Sequence, residues 1–260
     1  MQAQEIVNAI GAGVADALNT NRLFLGVEKD AFCNADIHPE YVTTVAVGKT
    51  LTAPDRYVSL ETHMKELRKH AHGLALMKRK LSKKSTRDID CIVAQYKFGD
   101  KDSKRLDIVV RSSDSLQPPL LIAEVKLGVK NEAGVIKDIN RVVDLLTMYH
   151  ELDLLSPHHV YGAVVFHSME TENFSGTLSQ KACDLTSKVS ERLESVMQAK
   201  SWLKAKCGFL TQNTKLQAVT GYREIQEDGC FEDIFAKDSF MFAPGLVLLG
   251  NACDVSTVKF

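Results

Sequence analysis

Apolar residues along the first part of the chain recur at helical spacing. Ile6, Ile10, Val14 and Leu18 predict an amphipathic helix that opens the protein. PEYVTTVAVGKTL (39–51) predicts a second helix, with Pro39 in its first turn and Val42, Val45 and Val47 as its inward stripe. RYVSLE (56–61) alternates as a short strand does, or else opens the helix that follows it. Met64, Leu67, Ala71, Leu74 and Met77 then mark a long helix over 62–81. The pattern next shortens to strand length in DIDCIVAQYKF (88–98), RLDIVV (105–110) and LLIAEVKL (120–127). The first two are joined by a hairpin-like GDKDSK.

A further helix spans 133–152, with Ile136, Ile139, Val143, Leu146 and Tyr149 on one side. VYGAVVFHS (160–168) is nearly all apolar, as a central strand covered on both faces should be. Strand, helix, strand implies a crossover to a parallel neighbour. A helix over 178–204 and strands near KLQAVTGYREI and GLVLLG close the chain. The expected class is α/β with a mixed sheet flanked by helices.

Composition narrows this picture only in places. A chain of 260 residues with 45% hydrophobic and 25% charged residues folds as one domain, here read as a core over 39–168 and a segment over 169–260 whose role no motif explains. The formal net charge of -1 removes any argument from global basicity, so a basic surface must be local. One such stretch exists: Lys65, Arg68, Lys69, Lys78, Arg79, Lys80, Lys83, Lys84 and Arg87 are opposed only by Glu66. It reads either as a solvated helix face or as a positive field able to hold a phosphate backbone. The six cysteines show no CxxC and no zinc-type spacing, and read as reduced, mostly buried thiols. The N-terminus lacks the features of a signal peptide, and no run approaches the roughly 20 apolar residues that cross a bilayer, so the expected location is cytoplasmic.

The candidate chemistry lies where charges interrupt apolar runs. Asp107 sits inside RLDIVV, and Glu124 and Lys126 sit inside LLIAEVKL. Buried charge is costly unless paired or bound to an ion. Alternation along a strand puts Glu124 and Lys126 on one face, and Asp107 joins them if the two strands pair. Two carboxylates suit a hard divalent cation such as Mg²⁺, and the lysine suits a water or a developing negative charge. Taken singly, an E-x-K on a strand is most often a surface ion pair. Asn140 and Arg141, on the helix after the motif, either reach the site from its N-terminal half or read as solvated helix residues, His158 and His159 point in opposite directions from a strand start, and His70 and His72 add to the basic helix. No Walker-type loop or GxSxG elbow is present.

Taken in order, a strand with Asp107, a Pro-Pro loop, a strand with Glu124 and Lys126, an amphipathic helix and an apolar strand resemble the PD-(D/E)xK nuclease superfamily, the restriction-endonuclease-like fold. The resemblance covers roughly Pro39 to Ser168 and implies a core in the order α, β, β, β, α, β. It implies that Asp107 matches the motif aspartate, although Leu106 stands where the motif's name has proline, and that Glu124 and Lys126 match (D/E)xK. A glutamate from the first core helix often joins the metal site: Glu40 is the first candidate, Glu61 the second and Glu66 the third. The basic helix is then an insertion after the first strand, or is itself the first core helix. The implied activity is hydrolysis of DNA phosphodiester bonds with Mg²⁺, for which Mn²⁺ substitutes, held by Asp107, Glu124 and Glu40. The basic residues would track the backbone, a homodimer would supply two sites for two strands, and the setting would be restriction, anti-phage defence or repair. A non-catalytic nucleic-acid-binding or defence-complex subunit on the same fold is the alternative, and RNA stays open as a substrate.

Overall fold

The computed structural model describes residues 1–25, 39–82, 84–97, 104–129, 131–156, 158–169, 178–210, 222–225, 231–234 and 242–260. Helices α1 (Ala3–Leu25) and α2 (Pro39–Leu51) precede strand β1 (Arg56–His63). Two helices, α3 (Met64–Ser82) and α4 (Thr86–Gln95), separate β1 from β2 (Arg105–Ser112). Strand β3 (Leu121–Val129), helix α5 (Glu132–Glu151) and strand β4 (Tyr161–Met169) follow. Helix α6 (Leu178–Ala199), strands β5 (Lys204–Phe209), β6 (Tyr222–Ile225), β7 (Phe231–Ile234) and β8 (Phe242–Gly250), and a 3-10 helix (Cys253–Thr257) complete the chain.

Six strands form one mixed sheet in the order β1-β2-β3-β4-β8-β5, and β6 and β7 pair separately. β1 to β2 and β2 to β3 are antiparallel, and β3 to β4 is parallel through the α5 crossover. β8 lies antiparallel to β4 over its whole length and carries β5 on its outer side. Strands β5 and β8, from the segment 169–260, therefore complete the same sheet as β1 to β4.

Each face of the sheet has its own apolar layer. On one face Leu67 and Leu74 of α3, Ile89 of α4, Ile139, Val142 and Leu146 of α5, and Val189 of α6 pack over Val109, Ile122, Val164 and Val247. On the other, Ile6, Ile10 and Val14 of α1 and Val47 and Leu51 of α2 cover Ile108, Ala123, Val165 and Leu248. Strands β3 and β4 are thus buried on both sides, as the unbroken apolar character of 160–168 predicts.

Several expectations need correction. The segment 88–98, expected as a strand, is mostly helix α4. Ser85 and Asp88 form a reciprocal capping box there, and Ile89, Ile92, Val93 and Tyr96 supply a helical apolar stripe. RYVSLE resolves in favour of the strand, with α3 beginning directly after His63. Met77 is 61% exposed and Val45 is 40% exposed, so neither belongs to its expected stripe. In α2 the buried side is Thr43, Ala46, Val47 and Leu51, because α1 lies against that side. The approach is closest at Gly13, where an added Cβ would stand 2.5 Å from the Val47 Cα. The helix expected over 178–204 ends at Ala199, and its last residue opens β5 instead. Cys91, Cys183 and Cys253 are exposed and Cys207 half-buried, against the expectation of mostly buried thiols, though all four are free. Cys33 and Cys230, the GDKDSK connection up to Ser103 and residues 215–221 of KLQAVTGYREI lie outside the described residues. Among the described residues no helix is long and apolar enough to cross a membrane.

Candidate active site

The site forms where a ladder ends. β2 and β3 pair at Val110 with Leu121, Val109 with Ile122 and Ile108 with Ala123. Continuing that register sets Asp107 opposite Glu124, and there the regular pairing stops. The Val125 N–H instead donates to Asp107 Oδ2 at 2.6 Å, so a side chain takes a main-chain donor at the point of divergence. β3 itself stays anchored on its other edge, with Glu124 beside Val164 and Lys126 beside Phe166 of β4.

Glu124 is buried, with 4% of its side chain exposed. Its carboxyl and that of Asp107 are hydrogen-bonded, which requires one proton between them. Burial pushes Asp107 up to about 6, and the charges of Glu40 and Glu61 push it the same way. Burial, then the Asp107 charge, push Glu124 up to about 9, with Arg141 acting in the opposite direction. The pair therefore holds one proton at neutral pH, with Glu124 the more strongly raised of the two.

Helix α5 supplies the counter-charge. Arg141 donates from one guanidinium nitrogen to Glu124 Oε1 at 2.6 Å and from another to Asp138 Oδ1 at 2.5 Å. Asp138 lies one turn before Arg141, is buried, and is pushed up by that burial, with Arg141 and then Lys126 acting to lower it. Lys126 has 43% of its side chain exposed and lies 3.6 Å from Glu40 Oε2. The structure thus brings Asp107, Glu124, Lys126 and Glu40 into one neighbourhood.

Glu61 belongs to it too. In the β1–β2 register it falls opposite Asp107, and its φ of 52° is left-handed, a conformation that costs a non-glycine residue about 1 kcal/mol. Glu66, in the first turn of α3, is exposed. The carboxyl groups of Glu40, Asp107, Glu124 and Asp138 lie near Lys126, Lys137 and Arg141. A donor set made of carboxyl oxygens fits a hard divalent cation. Among the described residues no three such side chains already converge as a set of metal ligands.

One of these groups escapes sequence reasoning. Asp138 adjoins Ile139 in the buried stripe of α5, and a carboxylate in that position calls for a partner. Arg141, which reaches the site and is not left in solvent, is that partner.

The basic stretch does not form one wall beside the site. Helix α3 starts where the Met64 N–H donates to the Lys104 carbonyl at 3.0 Å, next to the start of β2. It ends beside the approach to β4, where Lys78 lies 3.4 Å from His158 Nε2. Thirteen residues of helix separate Lys65 from Lys78, about 20 Å. Lys65, Arg68 and Lys69 therefore lie at the Asp107 end, while Lys78, Arg79, Lys80 and Lys84 lie at the other. Arg68 donates to the Tyr96 carbonyl at 3.1 Å, Arg79 to Thr86 Oγ1 at 3.2 Å, and Lys84 pairs with Asp153 at 2.7 Å. Lys65, Lys69, Lys80 and Arg87 are exposed, and Lys83 lies outside the described residues. His72 pairs with Asp90, and His70 Nε2 lies 3.2 Å from the Ser115 carbonyl oxygen, so neither serves the site.

Comparison with protein-family models, with curated proteins and with solved structures gave no match.

Proposed function

We propose that this chain is a metal-dependent nuclease of the restriction-endonuclease-like kind, hydrolysing DNA phosphodiester bonds. The observation that carries the reading is the meeting of Asp107, Glu124 and Lys126 at the divergence of β2 and β3. The element order supports it: α2, β1, β2, β3, α5, β4, with α3 and α4 inserted between β1 and β2, follows α, β, β, β, α, β. Asp107 and Glu124 would hold a Mg²⁺ or Mn²⁺ ion, with Glu40 or Glu61 as a further carboxylate. When bound, the ion polarises the phosphate and lowers the pKa of an attacking water.

The chain's own groups divide the remaining work. Val125 fixes Asp107 through its N–H, and α5 fixes Glu124 through Arg141. Lys126, the most exposed of the motif side chains, presents an ammonium to the water or to the charge that grows on the phosphate. Lys65, at the same end of the fold, gives the backbone a sequence-independent contact.

The test is cleavage of supercoiled plasmid, linear single-stranded DNA and RNA with Mg²⁺, with Mn²⁺ and with chelator. Metal-dependent cutting that falls at least about 100-fold in both Asp107→Ala and Lys126→Ala supports the reading. A second reading, a non-catalytic nucleic-acid-binding subunit, draws on one observation: Lys126 has Glu40 and Glu124 has Arg141 as protein partners. It predicts DNA binding with no cutting under any metal condition, a result that would remove the nuclease.

A further inference from the structure

Arg141 occupies an unusual place for a residue outside the motif. Its guanidinium bridges two buried carboxylates, with Glu124 and Asp138 side chains 4% and 9% exposed and its own 20% exposed. Glu124 is one of the two carboxylates that the nuclease reading assigns to the metal. A cation 2.6 Å from Glu124 Oε1 competes with any metal for that oxygen. Among the described residues the side-chain hydrogen bond of Asp138 is to Arg141, from the next turn of the same helix. Two acids therefore divide one guanidinium between them.

We infer that Arg141 is a built-in counter-ion that competes with the divalent metal for Glu124, and that Asp138 sets how strongly it competes by drawing part of the guanidinium away. The inference rests on the metal-site reading above. Without metal, Arg141 holds Glu124 in place and offsets the charge of Asp138. With metal, the guanidinium yields the Glu124 oxygen and stays tethered to Asp138, so the site need not release a free charged side chain. Arg141 is thus a positioning residue that lowers metal affinity while preserving the empty site.

The two partners then affect affinity in opposite directions, which a purely structural role does not predict. Removing Arg141 deletes a positive charge next to a dication, and at the screening of a partly exposed site this strengthens binding by about tenfold. Removing the Asp138 charge leaves the whole guanidinium to Glu124 and takes a negative charge away from the metal's surroundings, which weakens binding by several fold.

The experiment is calorimetric titration of the full chain with Mn²⁺ at fixed pH, together with the Mn²⁺-induced rise in melting temperature. Wild type, Arg141→Gln, Asp138→Asn and Asp107→Asn are compared, with circular dichroism as the check on folding. The inference expects about tenfold tighter Mn²⁺ binding and a larger thermal shift for Arg141→Gln, and weaker binding for Asp138→Asn. If Asp107→Asn abolishes binding but Arg141→Gln binds Mn²⁺ no more tightly than wild type, the counter-ion role is overturned and the metal site stands. If Arg141→Gln does not fold, Asp138→Asn decides, since equal or tighter binding overturns the role. If wild type and Arg141→Gln both show no saturable Mn²⁺ binding, the metal reading falls and this inference falls with it.

Discussion

The shared proton of Asp107 and Glu124 makes stability depend on pH in a direction opposite to that of most buried carboxylates in ion pairs. Unfolded, the two groups titrate near 3.8 and 4.5 and are both ionised above pH 6.5. Folded, Glu124 is pushed up to about 9 and keeps its proton through pH 8. A group whose folded pKa is raised stabilises fully below its unfolded value and loses that contribution as pH rises toward the folded one. Across this window the folded state holds one proton more, which costs about 1.4 kcal/mol per pH unit, or about 2 kcal/mol from pH 6.5 to 8. His150, His158 and His167 are all pushed down by burial and give the opposite slope in the lower part of the window, equally in wild type and in a variant at Asp107, so the difference between the two proteins isolates the shared proton. Above the window, Cys207, pushed up to about 12, begins to contribute. In Asp107→Asn the new amide can donate to Glu124 while its oxygen keeps the Val125 N–H, so Glu124 ionises against Arg141 and the extra proton disappears. Urea unfolding in chelator at half-unit steps should show wild type losing about 2 kcal/mol relative to the variant across the window. The same profile in both proteins would refute the shared proton.

Two further substitutions test the frame around the site. Glu61→Gly should raise stability by about 0.5–1 kcal/mol in urea, because glycine accepts the left-handed backbone and a negative charge leaves the side of Asp107; a loss would mean that the carboxylate repays its strain in the metal-free protein. Gly13→Ala should cost about 3 kcal/mol, since its Cβ would meet the Val47 main chain and force α1 off α2; unchanged urea unfolding would show that this helix contact yields cheaply.

The parts of the site that lie along one strand were legible, and the parts that depend on topology were not. Asp107, Glu124 and Lys126 stand out because a charge in an apolar run needs a reason, and alternation assigns them a face. Arg141 lies 17 residues beyond Glu124, across a turn and half a helix, so its contact exists only once α5 is laid on the sheet. Asp138 carried a local signal, a carboxylate inside a buried stripe. In 88–98 the β-branched residues outweighed Ser85 and Asp88, although the helical stripe of Ile89, Ile92, Val93 and Tyr96 was present. Val45 could not be placed from α2 alone, because α1 decides which side of that helix is covered.

The insertion between β1 and β2 explains why strain appears at Glu61. The two strands keep one register from Arg56 and Ser112 to His63 and Arg105, although α3 and α4 intervene in sequence. Those helices repay the closure of a long connection by burying Met64, Leu67, Leu74 and Ile89 on the sheet. Helix α3 must start directly at the strand end, since the Met64 N–H already bonds the Lys104 carbonyl. The chain therefore has little room to adjust at the end of β1. Glu61 lies two residues before that end and takes the left-handed conformation, opposite the residue at which β2 leaves β3. The break in the β2–β3 ladder and the irregularity in β1 thus fall at the same level of the sheet, where a cleft needs both neighbours of β2 to give way.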